Sequence, residues 1–328
     1  MSWLERHWYR DTLLSRLLAP LGWFYCALMS VRRGAYRIGL CRSAHVGAPT
    51  IIVGNITVGG TGKTPLVVWL VRHLSASGYR PGIVTRGYRG AARAWPQQVT
   101  GDSDPAQVGD EPVLLARRGG CPVVADPDRV RGASLLVRER GCDVIVSDDG
   151  LQHLRLARDI EIVVIDGERR FGNGRCLPAG PLREPPTRAR QADIVLVHGA
   201  NTGEEWGMRL QPRGLHAVAG GVEVTADALR RTRVHAVAGI GHPERFFRAL
   251  ERQGLSIIRH AYPDHHAFAA ADIRFNDGLP VIMTEKDAVK CRRWVEADES
   301  YWYLAVDAEP DARLGPWLTK RLAERARG

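Results

Sequence analysis

Short β-branched runs, each bounded by Gly, Pro or Asp, recur along the chain. They are IIVG (51–54), PGIVT (81–85), CPVVAD (121–126), CDVIVSDDG (142–150), DIEIVVID (159–166), ADIVLVHG (192–199), VHAVAGIG (234–241), LSIIRHAY (255–262), PVIMTEKDAVK (280–290) and YWYLAVD (301–307). Runs this short and this apolar suit strands buried on both faces. Helix-like stretches lie between them: Leu66 to Leu74, VLLARR after Pro112, residues 128–140 and a segment from Pro243. Such alternation predicts a parallel sheet covered by helices. Residues 91–108 are polar and read as a mobile loop, and no tandem repeat is visible.

The pattern predicts a P-loop α/β domain over 46–168, a Gly- and Pro-rich hinge over 169–188, a second α/β domain over 189–308 and a basic helix over 309–328 that packs back on the first domain. Ahead of them, residues 12–31 (TLLSRLLAPLGWFYCALMSV) form the most apolar stretch. Arg16 and Pro20 make it a poor spanning helix. Trp3, Trp8, Tyr9, Trp23 and Tyr25 surround it, and Arg32, Arg33 and Arg37 follow. Residues 1–45 are therefore expected to form an amphipathic helix at a membrane surface, or a helix packed on the protein's own core. No small-residue cleavage site marks a secretory signal.

The run from Ile51 to Pro65 orders a strand, a Gly-rich turn, Lys-Thr and a helix, the context in which a phosphate loop has physical meaning. Thr57, Val58, Gly59, Gly60, Thr61, Gly62, Lys63 and Thr64 are the expected nucleotide cradle. Backbone N–H groups and the helix N-terminus meet the phosphates, Lys63 reaches the β/γ-phosphates and Thr64 holds Mg²⁺. Thr57 stands where the common pattern has its first Gly.

Composition adds two points. The formal charge of +10 comes overwhelmingly from Arg; the lysines are Lys63, Lys286, Lys290 and Lys320. The Arg bias is not read as nucleic-acid binding, but it singles out Lys63, whose ammonium an Arg fork does not replace. The cysteines Cys26, Cys41, Cys121, Cys142, Cys176 and Cys291 are scattered, without metal spacing, and are expected to be reduced and buried.

Several strand ends carry chemistry. TRGYRG (85–90) offers Arg86 and Arg89, either to a phosphate or to solvent. Asp110 opens a helix, either as a cap or as a carboxylate at the rim of the nucleotide site. Asp148-Asp149-Gly150 ends an apolar strand in the Walker B manner, with Gln152 and His153 close behind. Arg183 and Glu184 sit among prolines in the hinge, either as an internal ion pair or against ligand. Asp264-His265-His266 suits an acid/base relay or a plain loop. Lys286, in TEKD (284–287), lies near a phosphate or merely starts a helix.

Taken in order, VGNITVGGTGKTP, TRGYRG, GDEP, SDDGLQH, GPLREP, YPDHHAF and TEKD, behind an aromatic-rich N-terminal helix, resemble the tetraacyldisaccharide 4′-kinases of lipid A synthesis over almost the whole chain. The Thr57 form of the loop belongs to that resemblance. It implies two α/β/α domains joined by a hinge. It implies transfer of the ATP γ-phosphoryl group, with Mg²⁺, to the 4′-hydroxyl of a lipid A disaccharide 1-phosphate at the cytoplasmic face of the bacterial inner membrane. It implies a base dyad of Asp110 and His265, with His266 as the alternative. Thr64, Asp148, Asp149 and Glu184 would serve the metal, and Arg86, Arg89, Glu111 and Arg183 the substrate. Neither a protein partner nor nucleic acid is implied. The competing classes are a membrane-tethered regulatory P-loop NTPase and a nucleotide-binding scaffold in which Asp110 is only a cap.

Overall fold

The computed structural model describes residues 7–199, 205–296 and 300–326. Helices α1 (Leu13–Leu17) and α2 (Ala19–Arg37) precede the sheet. The first half runs β1 (Thr50–Gly54), α3 (Lys63–Ala76), β2 (Pro81–Thr85), β3 (Gln97–Val99), α4 (Pro105–Val108), α5 (Asp110–Gly119), β4 (Val123–Ala125), α6 (Arg129–Arg140), β5 (Val144–Ser147) and β6 (Ile160–Asp166). The second half runs β7 (Ile194–His198), β8 (Trp206–Ala217), β9 (Glu223–Val224), β10 (Arg233–Ala238), α7 (Pro243–Arg252), β11 (Ser256–Ala261), β12 (Val281–Thr284), α8 (Glu285–Cys291), β13 (Tyr301–Pro310) and α9 (Leu314–Ala326).

Both α/β halves share one sheet, ordered β11-β10-β12-β13-β8-β7-β6-β1-β5-β2-β4-β3, with β9 paired to β8. Neighbours are parallel except at β3–β4, β8–β9 and β8–β13. The long strand β8 makes the join. Its residues 206–208 pair with β7, and residues 208–217 run antiparallel to β13. The segment expected to be a loop over 91–108 contains β3, which closes the sheet edge against β4, and the short α4.

The sheet core explains the runs. Every residue of β1, β2, β5 and β6 is buried. Leu66, Leu70 and Leu74 recur at helical spacing on α3 and are inaccessible to solvent. Leu314, Leu318 and Leu322 do the same on α9, and they enter the same core as α3.

Residues 12–31 divide into two helices. Thr12 caps α1 in a reciprocal box with Ser15, and Pro20 lies in the first turn of α2, where proline starts a helix rather than breaking it. One side of α2 docks on the junction segment. A Cβ on Gly22 would lie 2.8 Å from the Cys176 carbonyl oxygen. Trp8 Nε1 donates to the Pro178 carbonyl at 3.0 Å. The other side exposes Leu21, Trp23, Phe24, Leu28 and Val31, continuing from Leu13 and Leu17 on α1. Among the described residues, no helix is long and apolar enough to cross a membrane. Trp3, also expected at this surface, lies outside the described residues.

The cysteine expectation needs correction. Cys26 of α2 and Cys176 of the junction form a disulfide, because the close seat at Gly22 brings their backbones together. Cys41 is exposed; Cys142 and Cys291 are buried and Cys121 partly so.

Candidate active site

Gly62 caps α3 with φ of 87°, a left-handed conformation that favours glycine. The loop before it is braced from the junction. Val58 N donates to the Pro181 carbonyl at 2.8 Å, and Arg183 N donates to the Ile56 carbonyl at 2.7 Å. Thr57 forms an antiparallel bridge with Leu182, and its φ is not positive, so that position places no demand for glycine. Lys63 Nζ donates to Asn55 Oδ1 at 3.0 Å and lies 3.3 Å from Asp149 Oδ1.

The two adjacent carboxylates at the end of β5 are treated oppositely. Burial would raise Asp149, but Lys63 and Arg183 hold it well below the usual carboxylate range. Arg183 Nη1 reaches both its oxygens, at 3.0 and 3.2 Å. Asp148 is 1% exposed, and its Oδ1 has no hydrogen-bond partner among the described residues. Burial, reinforced by the Glu111 carboxylate, pushes it up to about 7. Arg129, itself buried, donates to the carbonyls of Asp148 (3.2 Å) and Asp149 (3.0 Å) and fixes the turn between them.

Glu184 is paired with cations and an amide. Arg33 of α2 lies 3.1 Å from Oε2, Arg188 lies 3.5 Å from the same oxygen, and Gln152 donates to Oε1 at 3.0 Å. Among the described residues, no cluster of three or more His, Cys, Asp and Glu side chains could hold a metal ion. Asp148 keeps an unpartnered Oδ1 among the described residues, and Thr64 stands in the first turn of α3 next to Lys63. Arg33, Glu184, Gln152, Arg183, Asp149 and Lys63 form one chain of polar contacts from the N-terminal helix to the phosphate loop.

A second group gathers at the start of α5. Gly109 precedes it with φ of 95°, and a Cβ there would lie 2.8 Å from the Tyr88 carbonyl oxygen. Asp110 Oδ2 stands 3.3 Å from His265 Nδ1, and Lys286 and Lys290 each stand 4.0 Å from it. Burial raises the Asp110 carboxyl, but His265 and the two ammonium groups outweigh it and bring it down to about 2. His266 turns away, bonded to Asp272 at 3.1 Å and stacked on Tyr262. Thr284 caps α8, while Lys286 Nζ donates to Glu111 Oε1 at 3.0 Å. Arg89 is exposed and donates to the His265 carbonyl at 3.1 Å. Arg86 is exposed too, with no ion-pair partner among the described residues.

A family profile described as tetraacyldisaccharide-1-P 4′-kinase matches residues 14–323. The chain belongs to this family. Curated tetraacyldisaccharide 4′-kinases resemble it at high coverage. That of Alkalilimnicola ehrlichii is 52% identical, over 98% of this chain and 98% of the relative. That of Nitrosococcus oceani is 48% identical, over 99% and 96%. The crystal structure of Aquifex aeolicus LpxK in complex with ATP superposes with a TM-score of 0.80 at 27% identity, covering 94% of this chain and 100% of that one.

Sequence reasoning missed three parts of this 4′-kinase's site. Arg129 read as an ordinary helix residue, and only its burial at the back of the Asp148 turn reveals it. Arg33 read as one of several flanking arginines. Lys286 was named, near a phosphate or as a mere helix start, but without Glu111 and His265 as its neighbours; the scarcity of lysine was the available signal.

Proposed function

We propose that the protein transfers the γ-phosphoryl group of ATP to the 4′-hydroxyl of a tetraacyl disaccharide 1-phosphate at the cytoplasmic surface of the inner membrane. The observation carrying this reading is the meeting of two groups. Lys63 of the phosphate loop meets the Asp148–Asp149 turn at the end of β5, 3.3 Å from Asp149, while the Asp110–His265 pair sits beside Glu111, whose carboxylate charge reinforces the upward shift of Asp148. A pure nucleotide switch has no use for the second group.

In this reading the loop from Thr57 to Thr64 holds the triphosphate, and Lys63 neutralises charge as the terminal phosphoryl group transfers. Asp110 accepts the sugar hydroxyl proton, and His265 holds that carboxylate in place. An orphaned, buried Asp148 oxygen fits a hard divalent cation, which binds through one or two carboxylates plus substrate phosphates. Thr64 and Asp148 would hold Mg²⁺, which supplies charge neutralisation at the phosphates. Arg183 orders Asp149, and the exposed Arg86 and Arg89 would meet the acceptor's phosphate, Arg89 exchanging its bond to the His265 carbonyl.

The exposed apolar side of α1 and α2, bordered by Arg32 and Arg37, suits a bilayer surface. Acyl chains stay in the lipid while the sugar reaches the site.

The test is a mass assay of ATP with purified tetraacyl disaccharide 1-phosphate in mixed micelles. A product one phosphate heavier, absent with Lys63→Ala, is expected. ADP release that is indifferent to the lipid, with no phosphorylated lipid formed, would instead establish the regulatory NTPase.

A further inference from the structure

We propose that Lys286 is the positioning residue that fixes His265 in its Nδ1–H form and so aims the imidazole proton at Asp110. Lys286 Nζ lies 3.2 Å from His265 Nε2 and 3.0 Å from Glu111 Oε1. An ammonium group donates and never accepts. Nε2 must therefore offer its lone pair, and the neutral ring carries its one proton on Nδ1. That nitrogen is the one 3.3 Å from Asp110 Oδ2.

The surroundings keep Lys286 charged and its reach fixed. Glu111, Asp110 and Asp264 face it and, against the effect of burial, hold its ammonium above the ordinary lysine range. Its side chain is 16% exposed, so protein encloses most of it. The imidazole is equally constrained. His265 has a left-handed φ of 58°, its N–H donates to the Gly239 carbonyl, and the Tyr88 ring meets it edge-on. Asp264 lies 3.9 Å from Nε2, too far to compete with Lys286 for it. Lys290 plays a different part: it pairs with Asp287 at 2.7 Å and lies over the Phe268 ring.

The catalytic consequence rests on the reading of Asp110 as base. With His265 donating to Oδ2 and the Glu111 backbone N–H donating to Oδ1, the carboxylate is oriented from both sides. A ring of the other tautomer would present a lone pair to Asp110 and repel it.

Two-bond ¹H–¹⁵N correlation spectra of the full chain test the proposal, with the His265 signals assigned by their loss in His265→Gln. Wild-type His265 should be neutral and protonated on Nδ1. In Lys286→Met the pure Nδ1–H form should give way to a mixture of forms, since nothing then donates to Nε2, and kcat should fall about 10–100-fold with little change in KM for ATP. Lys286→Arg, which retains donors, should keep much of the Nδ1–H form. A wild-type His265 found as the Nε2–H form or as imidazolium overturns the proposal whatever the activity. So does a His265 spectrum that Lys286→Met leaves unchanged. The wild-type spectrum decides even if Lys286→Met fails to fold. Failure of the base reading shows separately, as near-normal turnover in Asp110→Ala.

Discussion

Asp110 and His265 meet at 3.3 Å although one opens a helix in the first half of the sheet and the other sits in a loop of the second. A carboxylate held at about 2 is ionised throughout the working range of an enzyme, so the base role proposed for Asp110 needs no titration near neutrality. Asp110→Ala should lower kcat by about 10²–10⁴-fold, the usual contribution of a positioned base. The dissociation constant for ATP, measured by fluorescence titration, should stay within a few-fold. In wild type, the acid limb of kcat between about pH 5 and 8 should not come from Asp110; a limb in that range that vanishes in Asp110→Asn would show that its carboxyl is not held low.

Asp148 has the opposite sign. Its folded carboxyl is raised to about 7, above an ordinary aspartate carboxyl's 3.8. It therefore stabilises the metal-free fold at low pH, and that contribution is lost as pH rises through about 7. Metal-free protein should melt lower at pH 8 than at pH 6, and Asp148→Asn should remove part of that difference. The gain at pH 8 should be read at about 2–4 °C per kcal/mol recovered. Added Mg²⁺ should stabilise wild type more at pH 8 than at pH 6, since protons compete for the same oxygen. Equal melting shifts for wild type and Asp148→Asn would show that the carboxylate is not the group responsible.

Trp23 and Phe24 are 70% and 71% exposed on the free side of α2. Burying a large apolar side chain in lipid contributes about 1.5–3 kcal/mol. Trp23→Ser and Phe24→Ser should each weaken co-sedimentation with anionic vesicles by about tenfold or more. Activity on a water-soluble, short-chain acceptor should be spared. If vesicle binding is unaffected, this face meets something other than lipid.

Leu318 is fully buried on α9, within the core shared with α3. Leu318→Ala should cost about 2–5 kcal/mol in a urea unfolding series. The cost should be similar with and without ATP, because the side chain supports the sheet rather than the site. A loss under about 1 kcal/mol would mean that α9 is not held by this packing.

The phosphate loop, the Asp-Asp strand end and the helix start at Asp110 were legible because each is local: a strand, a turn and a helix in sequence order. The Asp264-His265-His266 run was legible as a candidate relay, but the choice of His265 over His266 came only from the resemblance. The rest depends on contacts across long separations. Lys286 and Glu111 are 175 residues apart, Arg33 and Glu184 are 151 apart, and Cys26 and Cys176 are 150 apart. No periodicity encodes those meetings. Arg129 was hidden for another reason. An Arg one position inside a helix is ordinary, and only the turn of Asp148 and Asp149 behind it turns its side chain into a brace. The continuity of the sheet was hidden as well, since the strand pattern says nothing about a strand such as β8 that pairs in different directions along its two edges.

That strand has a mechanical consequence. It is laced to β13 over most of its length, but to β7 only through Leu196–Trp206, Val197–Gly207 and His198–Met208. The stitching between the halves is thus narrowest at one short seam. His198 and Met208, the last pair of that seam, also flank Gly62, with atoms 3.3 Å from where a Cβ would stand. The narrowest seam of the sheet therefore packs directly against the residue that caps the helix after the phosphate loop.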